Sequence, residues 1–147
     1  MATILCSDQN HDASRVRALV VDDYEPFRQF SVSMLQTKQE FQVVGEASDG
    51  LEAVQKAEEL QPDLILLDIG LTTLNGIEAA HRISRLVPGA KILFVSQEND
   101  KDLIAAALSN GAKGYLRKQD ANSELLSAVE AVLQGDRFVS EGLTSKT

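Results

Sequence analysis

Four apolar runs in this chain end in polar residues that could share one phosphoryl-transfer site. Ala18–Val21 ends in Asp22 and Asp23, and Leu64–Leu67 ends in Asp68. Ile92–Val95 ends in Ser96, and Gly114–Leu116 runs into Arg117 and Lys118. If these runs are parallel strands of one sheet, three carboxylates, a hydroxyl and an ammonium converge along one edge. Carboxylates that close repel one another unless a cation lies among them. A hard cation such as Mg²⁺ (or Mn²⁺) takes oxygen ligands and keeps several waters, so two or three carboxylates suffice. The pattern therefore predicts a divalent metal and an anionic ligand. Asp68 is the candidate nucleophile toward an activated phosphoryl group. The metal and Lys118 would neutralise charge on its oxygens, and Ser96 would donate a hydrogen bond to one of them.

Each of these residues has a plainer use when taken alone. Asp22, Asp23 and Asp68 could cap helices or loops, Ser96 could serve a turn, and Lys118 could be a solvated lysine. Tyr115 reads as a strand aromatic with its ring partly in the core and its hydroxyl at the surface. It is the order of the set along the chain that carries the functional reading. His11 and His81 have no metal-ligand partner at useful spacing.

Around these residues the chain alternates between short apolar runs and amphipathic stretches. Strands are expected at Val16–Val21, Phe41–Ala47, Asp63–Leu67, Lys91–Val95 and Lys113–Leu116. Between them, apolar residues recur at helical spacing. The sets are Phe27, Phe30, Met34 and Leu35; Leu51, Val54, Ala57 and Leu60; Ile77, Ala80 and Ile83; Leu103, Ile104, Ala107 and Leu108. Leu125, Leu126, Val129, Val132 and Leu133 stripe a last helix. Glu25, Asp100 (or Asn99) and Asp120 are candidate caps, and Pro26 suits a first helical turn. Repeated βα units imply an α/β fold, a parallel sheet with helices on both faces. Ligands then bind beyond the carboxyl ends of the strands, where the strand order reverses.

Composition narrows the function classes. The 147 residues are enough for one domain with a real core, and 22 acidic against 14 basic residues give a net charge of −8. That charge disfavours nonspecific nucleic-acid binding. No apolar stretch approaches the roughly 18 residues that cross a bilayer, and Met1–Ser14 does not read as a signal peptide. A single cysteine, Cys6, cannot form an internal disulfide, so a cytoplasmic location is expected.

Together the segments Val20–Asp23, Leu66–Leu71 with Leu74–Gly76, Phe94–Ser96 and Gly111–Lys118 resemble the receiver domain of two-component response regulators. The resemblance covers about Val16 to Asp136, and the wording of Asn75–Glu78 and Gly111–Lys118 is most like the NarL/FixJ subfamily. It implies a flavodoxin-like (βα)5 fold, a five-stranded doubly wound sheet of order 2-1-3-4-5. The receiver would span 15–135, preceded by a disordered tail at 1–14 and followed by a tail or linker start at 136–147. Asp68 is then the phosphoacceptor. Asp22 and Asp23 are the acidic pair, Asp23 the more direct metal ligand, and the backbone carbonyl of Gly70 completes the protein ligands. Ser96 is the switch hydroxyl, Tyr115 the switch aromatic and Lys118 the phosphate-pairing lysine.

The same resemblance supplies partners. The phosphoryl group would come from a sensor histidine kinase and be lost by slow self-hydrolysis, so the domain is a signalling phosphoacceptor rather than an enzyme. Phosphorylation would alter the surface of the fourth helix, fifth strand and fifth helix. That surface, or the first and fifth helices, could pair two copies. NarL/FixJ proteins usually carry a DNA-binding helix-turn-helix after the receiver, and Phe138–Leu143 resembles the start of its linker. Transcription would be controlled through such an output domain, and no DNA binding is expected of these 147 residues themselves.

Three positions depart from the family pattern. Thr72 replaces a common proline, which predicts a looser loop into the third helix. Gln119 replaces the proline that follows the lysine in chemotaxis-type members. Gln97 replaces a residue that is often small, and its side chain is expected to screen the phosphoryl group from water. An alternative reading is a receiver-like interaction module that works without phosphorylation. A phosphatase or dinucleotide enzyme is disfavoured. No glycine-rich loop follows the first strand, and no second carboxylate stands two residues after Asp68.

Overall fold

The structure is a computed structural model and describes residues 15–140. The expected tail at 1–14 and residues 141–147 lie outside the described residues. Strands β1 (Val16–Val21), β2 (Phe41–Ala47), β3 (Leu64–Leu67), β4 (Lys91–Ser96) and β5 (Gly114–Arg117) alternate with helices. The helices are α1 (Glu25–Gln36), α2 (Gly50–Leu60), α3 (Gly76–Leu86), α4 (Lys101–Ser109) and α5 (Ala121–Leu133). A 3-10 turn, Lys118–Asp120, leads into α5, and a two-residue strand β6 (Phe138–Val139) follows it.

All strand pairs are parallel, in the order β2-β1-β3-β4-β5-β6. The central strand β3 is LILL, and all four of its residues are buried, as expected of a strand covered on both faces. The period of two along the strands sorts side chains to opposite faces. Leu19, Val21, Ile65, Leu67, Ile92 and Phe94 pack with Ala53, Ala57, Ala79, Ala80, Ile83 and Ile104 from α2, α3 and α4. Val20, Leu64, Leu66, Leu93 and Val95 pack with Val32, Leu35, Leu125, Val129 and Val132 from α1 and α5. Burying each Leu, Ile or Val fully contributes about 1.5–3 kcal/mol.

The resemblance implies a sheet of five strands, with a tail or linker start at 136–147. The structure adds β6 beside β5. Ser140 N–H donates to Tyr115 O at 2.9 Å, and Arg117 N–H donates to Ser140 Oγ at 2.8 Å. Ser140 is fully buried. Two residues are too few to show a strand period, so the addition has no signature in the sequence.

Some local expectations change in detail. Leu51 is 50% exposed, whereas Ala57 is buried and Val54 and Leu60 pack against the core as expected, with Gly50 and Ala53 buried beside them. Gly50 permits this because a Cβ there would lie 1.8 Å from Leu74 O. Glu25 is already helical, and Tyr24 takes the N-cap position of α1 without a side-chain hydrogen bond. Asp120 stands at the N-cap of α5 but makes no cap bond; its carboxylate holds Arg117 Nε at 2.9 Å. Asp100 caps α4 as expected, accepting from Asp102 and Leu103 N–H.

The loop at Thr72 is hydrogen-bonded to the start of α2. Thr72 O accepts from Gly50 and Leu74 N–H, and Thr73 Oγ1 donates to Asp49 Oδ1 at 2.9 Å. These bonds tie the start of α3 to the start of α2. Among the described residues no peptide bond is cis, Lys118–Gln119 included.

Candidate functional site

Strand order reverses across β1 and β3, which are neighbours although α1, β2 and α2 lie between them in sequence. Val21 is in register with Leu67, so Asp22 and Asp68 leave the sheet side by side. The ladder continues into the site: Asp22 N–H donates to Ala47 O at 3.0 Å, and Asp68 N–H donates to Val21 O at 3.2 Å. Gly76 lets the start of α3 close against Asp68, since a Cβ there would lie 2.0 Å from Asp68 O.

Asp22, Asp23 and Asp68 each offer a carboxylate oxygen, and these atoms lie within 4.8 Å of one another. Asp22 and Asp68 are buried, whereas Asp23 is exposed. Lys118 Nζ contacts both buried carboxylates, at 2.8 Å from Asp22 Oδ2 and 3.3 Å from Asp68 Oδ2. It also sits 4.8 Å from the centroid of the Phe27 ring, within cation–π range.

The charge balance is visible in the protonation equilibria. Burial pushes the Asp22 carboxyl above its ordinary value, and the Asp68 charge adds to this against the hydrogen bonds from Lys118 and Tyr24. For Lys118, burial favours the neutral amine, but the hydrogen bond to Asp22 and the charge of Asp68 carry its pKa upward overall. A divalent cation fits this donor set: three carboxylates meet, two of them desolvated, with one ammonium as their nearest countercharge.

A cavity of about 690 Å³ opens over these groups, bounded by Asp23, Tyr24, Phe27, Asp68, Gly70, Ser96, Gln97, Glu98 and Lys118. Ser96 is 1% exposed, and its Oγ accepts from Glu98 N–H at 3.4 Å. Tyr115 does not border the cavity. Its ring is fully buried, not partly as the sequence suggests, and its hydroxyl donates to Glu98 O at 2.8 Å. Burial pushes the phenol up to about 12.

The structure thus brings together Asp22, Asp23, Asp68 and Lys118, with Gly70 and Ser96 on the cavity wall. Sequence reasoning misses several neighbours. Phe27 reads only as part of an apolar helix face. Arg28 is half-buried and donates from Nη1 to Asp22 O at 2.8 Å and from Nε to Glu46 Oε1 at 2.9 Å, which steadies the turn carrying the acidic pair. Its position six residues after Asp22 is a signal only once α1 is known to pack against β2. Glu98 contributes through its backbone, which leaves no trace in side-chain type.

The response regulator receiver domain family matches residues 18–130. The chain belongs to that family. It is 35% identical over 131 residues to the transcriptional regulatory protein LnrK of Bacillus subtilis, covering 89% of this chain and 60% of that protein. It is 34% identical over 126 residues to the nitrate/nitrite response regulator protein NarL of Escherichia coli, covering 86% and 58%. The chain therefore spans less than two thirds of the length of these relatives. Among solved structures, a LuxR-family two-component response regulator from Aurantimonas sp. SI85-9A1 superposes with a TM-score of 0.84 at 31% identity. That superposition covers 90% of this chain and 94% of the other. The relatives bear out both the flavodoxin-like receiver fold and the likeness to NarL-type regulators. No helix among the described residues is long and apolar enough to cross a membrane.

Proposed function

We propose that this chain is a phosphorylation-controlled signalling receiver in which Asp68 accepts a phosphoryl group from a sensor histidine kinase. The observation that carries the reading is the contact of one ammonium, Lys118 Nζ, with Asp22 and Asp68 at 2.8 and 3.3 Å beneath an open cavity. A carboxylate held there is available as a nucleophile, and the lysine is within reach of the oxygens of an incoming phosphoryl group. Asp22, Asp23, Asp68 and the Gly70 carbonyl would hold Mg²⁺ or Mn²⁺. Such a cation offsets negative charge on the phosphoryl oxygens. Ser96 donates to one oxygen and Lys118 pairs with another, each drawn from its present partner.

The consequence is a switch rather than catalytic turnover. Added charge at Asp68 pulls on Ser96, and Ser96 touches the Glu98 segment that accepts the Tyr115 hydroxyl. Through that segment the surface of α4, β5 and α5 changes. This surface, or α1 with α5, would pair two copies. Slow self-hydrolysis resets the site. A cytoplasmic setting follows from a kinase partner of this family. Control of transcription is the proposed output, by analogy with relatives named as transcriptional regulators. The phosphorylation-independent alternative is not favoured, because the acidic cluster and its lysine stand together.

The test is uptake of one phosphoryl group, read by intact mass after incubation with Mg²⁺ and acetyl phosphate. Wild type gains one group and Asp68→Asn none. Equal labelling of both proteins removes Asp68 as the acceptor.

A further inference from the structure

The chemistry above employs Asp22, Asp23, Asp68, Ser96 and Lys118 and leaves one wall of the cavity without a task. Tyr24 borders that cavity and is 61% exposed. Of the five Phe and two Tyr in the chain, it is the only exposed one; the others are buried or partly buried. A single exposed aromatic needs no explanation on an arbitrary surface. This one follows the acidic pair directly and lines the same cavity as Asp68. Its backbone is fixed, because its N–H donates to Asp22 Oδ1 at 2.8 Å. Phe27, the other aromatic of the cavity, is already engaged by Lys118 at 4.8 Å.

The cavity is also larger than its proposed anion requires. Its volume of about 690 Å³ lies in the roughly 300–1,000 Å³ range that takes whole small molecules. A group carried in with the phosphoryl would therefore meet the Tyr24 ring. Tyrosine supplies a rigid, amphipathic face with few rotamers to freeze.

We propose that Tyr24 is the donor-recognition residue of this site, its ring stacking on the imidazole of a phosphohistidine as the phosphorus approaches Asp68. The inference rests on Asp68 being the phosphoacceptor. In the transfer an Asp68 carboxylate oxygen bonds to phosphorus while the P–N bond breaks. The electron pair of that bond returns to the ring nitrogen, and imidazole leaves neutral from the ring-protonated donor. Tyr24 takes no part in these bond changes; it orients the leaving ring.

The test compares three small donors on the full chain with Mg²⁺. Phosphoimidazole has a ring and a P–N bond, phosphoramidate has the P–N bond without a ring, and acetyl phosphate has neither. The readout is the ratio of the labelling rate with phosphoimidazole to that with each ringless donor. Offset-stacked aromatic pairs lead to an expected fall of about 2- to 10-fold in both ratios for Tyr24→Ala. Tyr24→Phe keeps the wild-type ratios, and Tyr24→Leu does not. Ratios that stay constant across the variants overturn the inference, whether or not the absolute rates fall, because a structural role for Tyr24 would slow every donor alike. If no donor labels wild type at Asp68, the phosphoacceptor reading fails first and this inference falls with it.

Discussion

Replacing Lys118 by methionine keeps much of the side chain's apolar stem but removes the ammonium between Asp22 and Asp68. The side chains involved are 14%, 4% and 9% exposed for Lys118, Asp22 and Asp68, so the two carboxylates lose most of their countercharge with it. Removing one partner of such a buried pair costs about 3–5 kcal/mol. A ceiling exists, because a carboxyl left alone can take up a proton. Protonation in the folded state costs about 1.4 kcal/mol per pH unit above the unfolded pKa. Taking the ordinary Asp value of 3.8, the ceiling is about 5 kcal/mol near pH 7.5 and about 1.6 kcal/mol near pH 5. The sign follows from what Lys118 does to Asp22: burial raises that carboxyl and Lys118 lowers it, so without Lys118 it rises further, and the penalty is absent well below 3.8 and grows as pH rises. In EDTA near pH 7.5 the variant should unfold about 3–5 kcal/mol more easily, or about 10–15 °C lower. Near pH 5 the deficit shrinks to below about 2 kcal/mol, and saturating Mg²⁺ narrows it near pH 7.5 by stabilising the variant more than wild type. Urea unfolding at both pH values, with and without Mg²⁺, measures this. Deficits within about 0.5 kcal/mol of zero at both pH values would refute the claim that Lys118 offsets the two carboxylates.

Other outcomes follow from particular contacts. Ser140→Ala leaves the Arg117 N–H without its Ser140 Oγ partner at 2.8 Å, and should cost about 1–3 kcal/mol by chemical denaturation although Ser140 lies beyond α5. Asp49 holds its carboxyl below the usual 3.8 through the Glu52 N–H and then the Thr73 hydroxyl, so its contribution is full above that value and is lost as pH falls below it. Asp49→Asn preserves the α2 cap and should flatten stability against pH in that acid window, whereas Asp49→Ala should cost about 0.5–2 kcal/mol at neutral pH. Gln97 is exposed on the cavity wall, and Gln97→Ala should shorten the lifetime of the phosphorylated form several-fold. Faster phosphoryl loss in wild type than in this variant would contradict the screening role of Gln97.

The sheet was readable in the sequence because parallel strands buried on both faces leave continuous apolar runs. LILL at β3 and the valines of β1 can hardly be read otherwise. The acidic residues were readable because each follows such a run directly, so strand order alone assembles them. What escaped depends on contacts between elements distant in sequence. Nothing in FVS announces β6, whose position rests on Ser140 bonding back to Tyr115 and Arg117. Helical spacing places Leu51 on the inward stripe with Val54, Ala57 and Leu60, but the close approach of Gly50 to Leu74 leaves Leu51 half-exposed while the other three pack inward. The hydrogen bonds that Thr72 O accepts from Gly50 and Leu74 N–H likewise join segments that the sequence does not show as neighbours. The aromatic lining is hidden because a helix-face pattern does not distinguish a core ring from one on a cavity wall at Phe27, and Tyr24, at the N-cap, lies outside that pattern.

The central claim is that Asp68, and not its acidic neighbours, carries the phosphoryl group. Borohydride reduces an aspartyl phosphate to homoserine and leaves ordinary aspartate unchanged, so peptide mass mapping after Mg²⁺, acetyl phosphate and borohydride names the residue. Homoserine at position 68 alone is the predicted result. Homoserine at position 22 or 23, or at none of the three, would contradict the account.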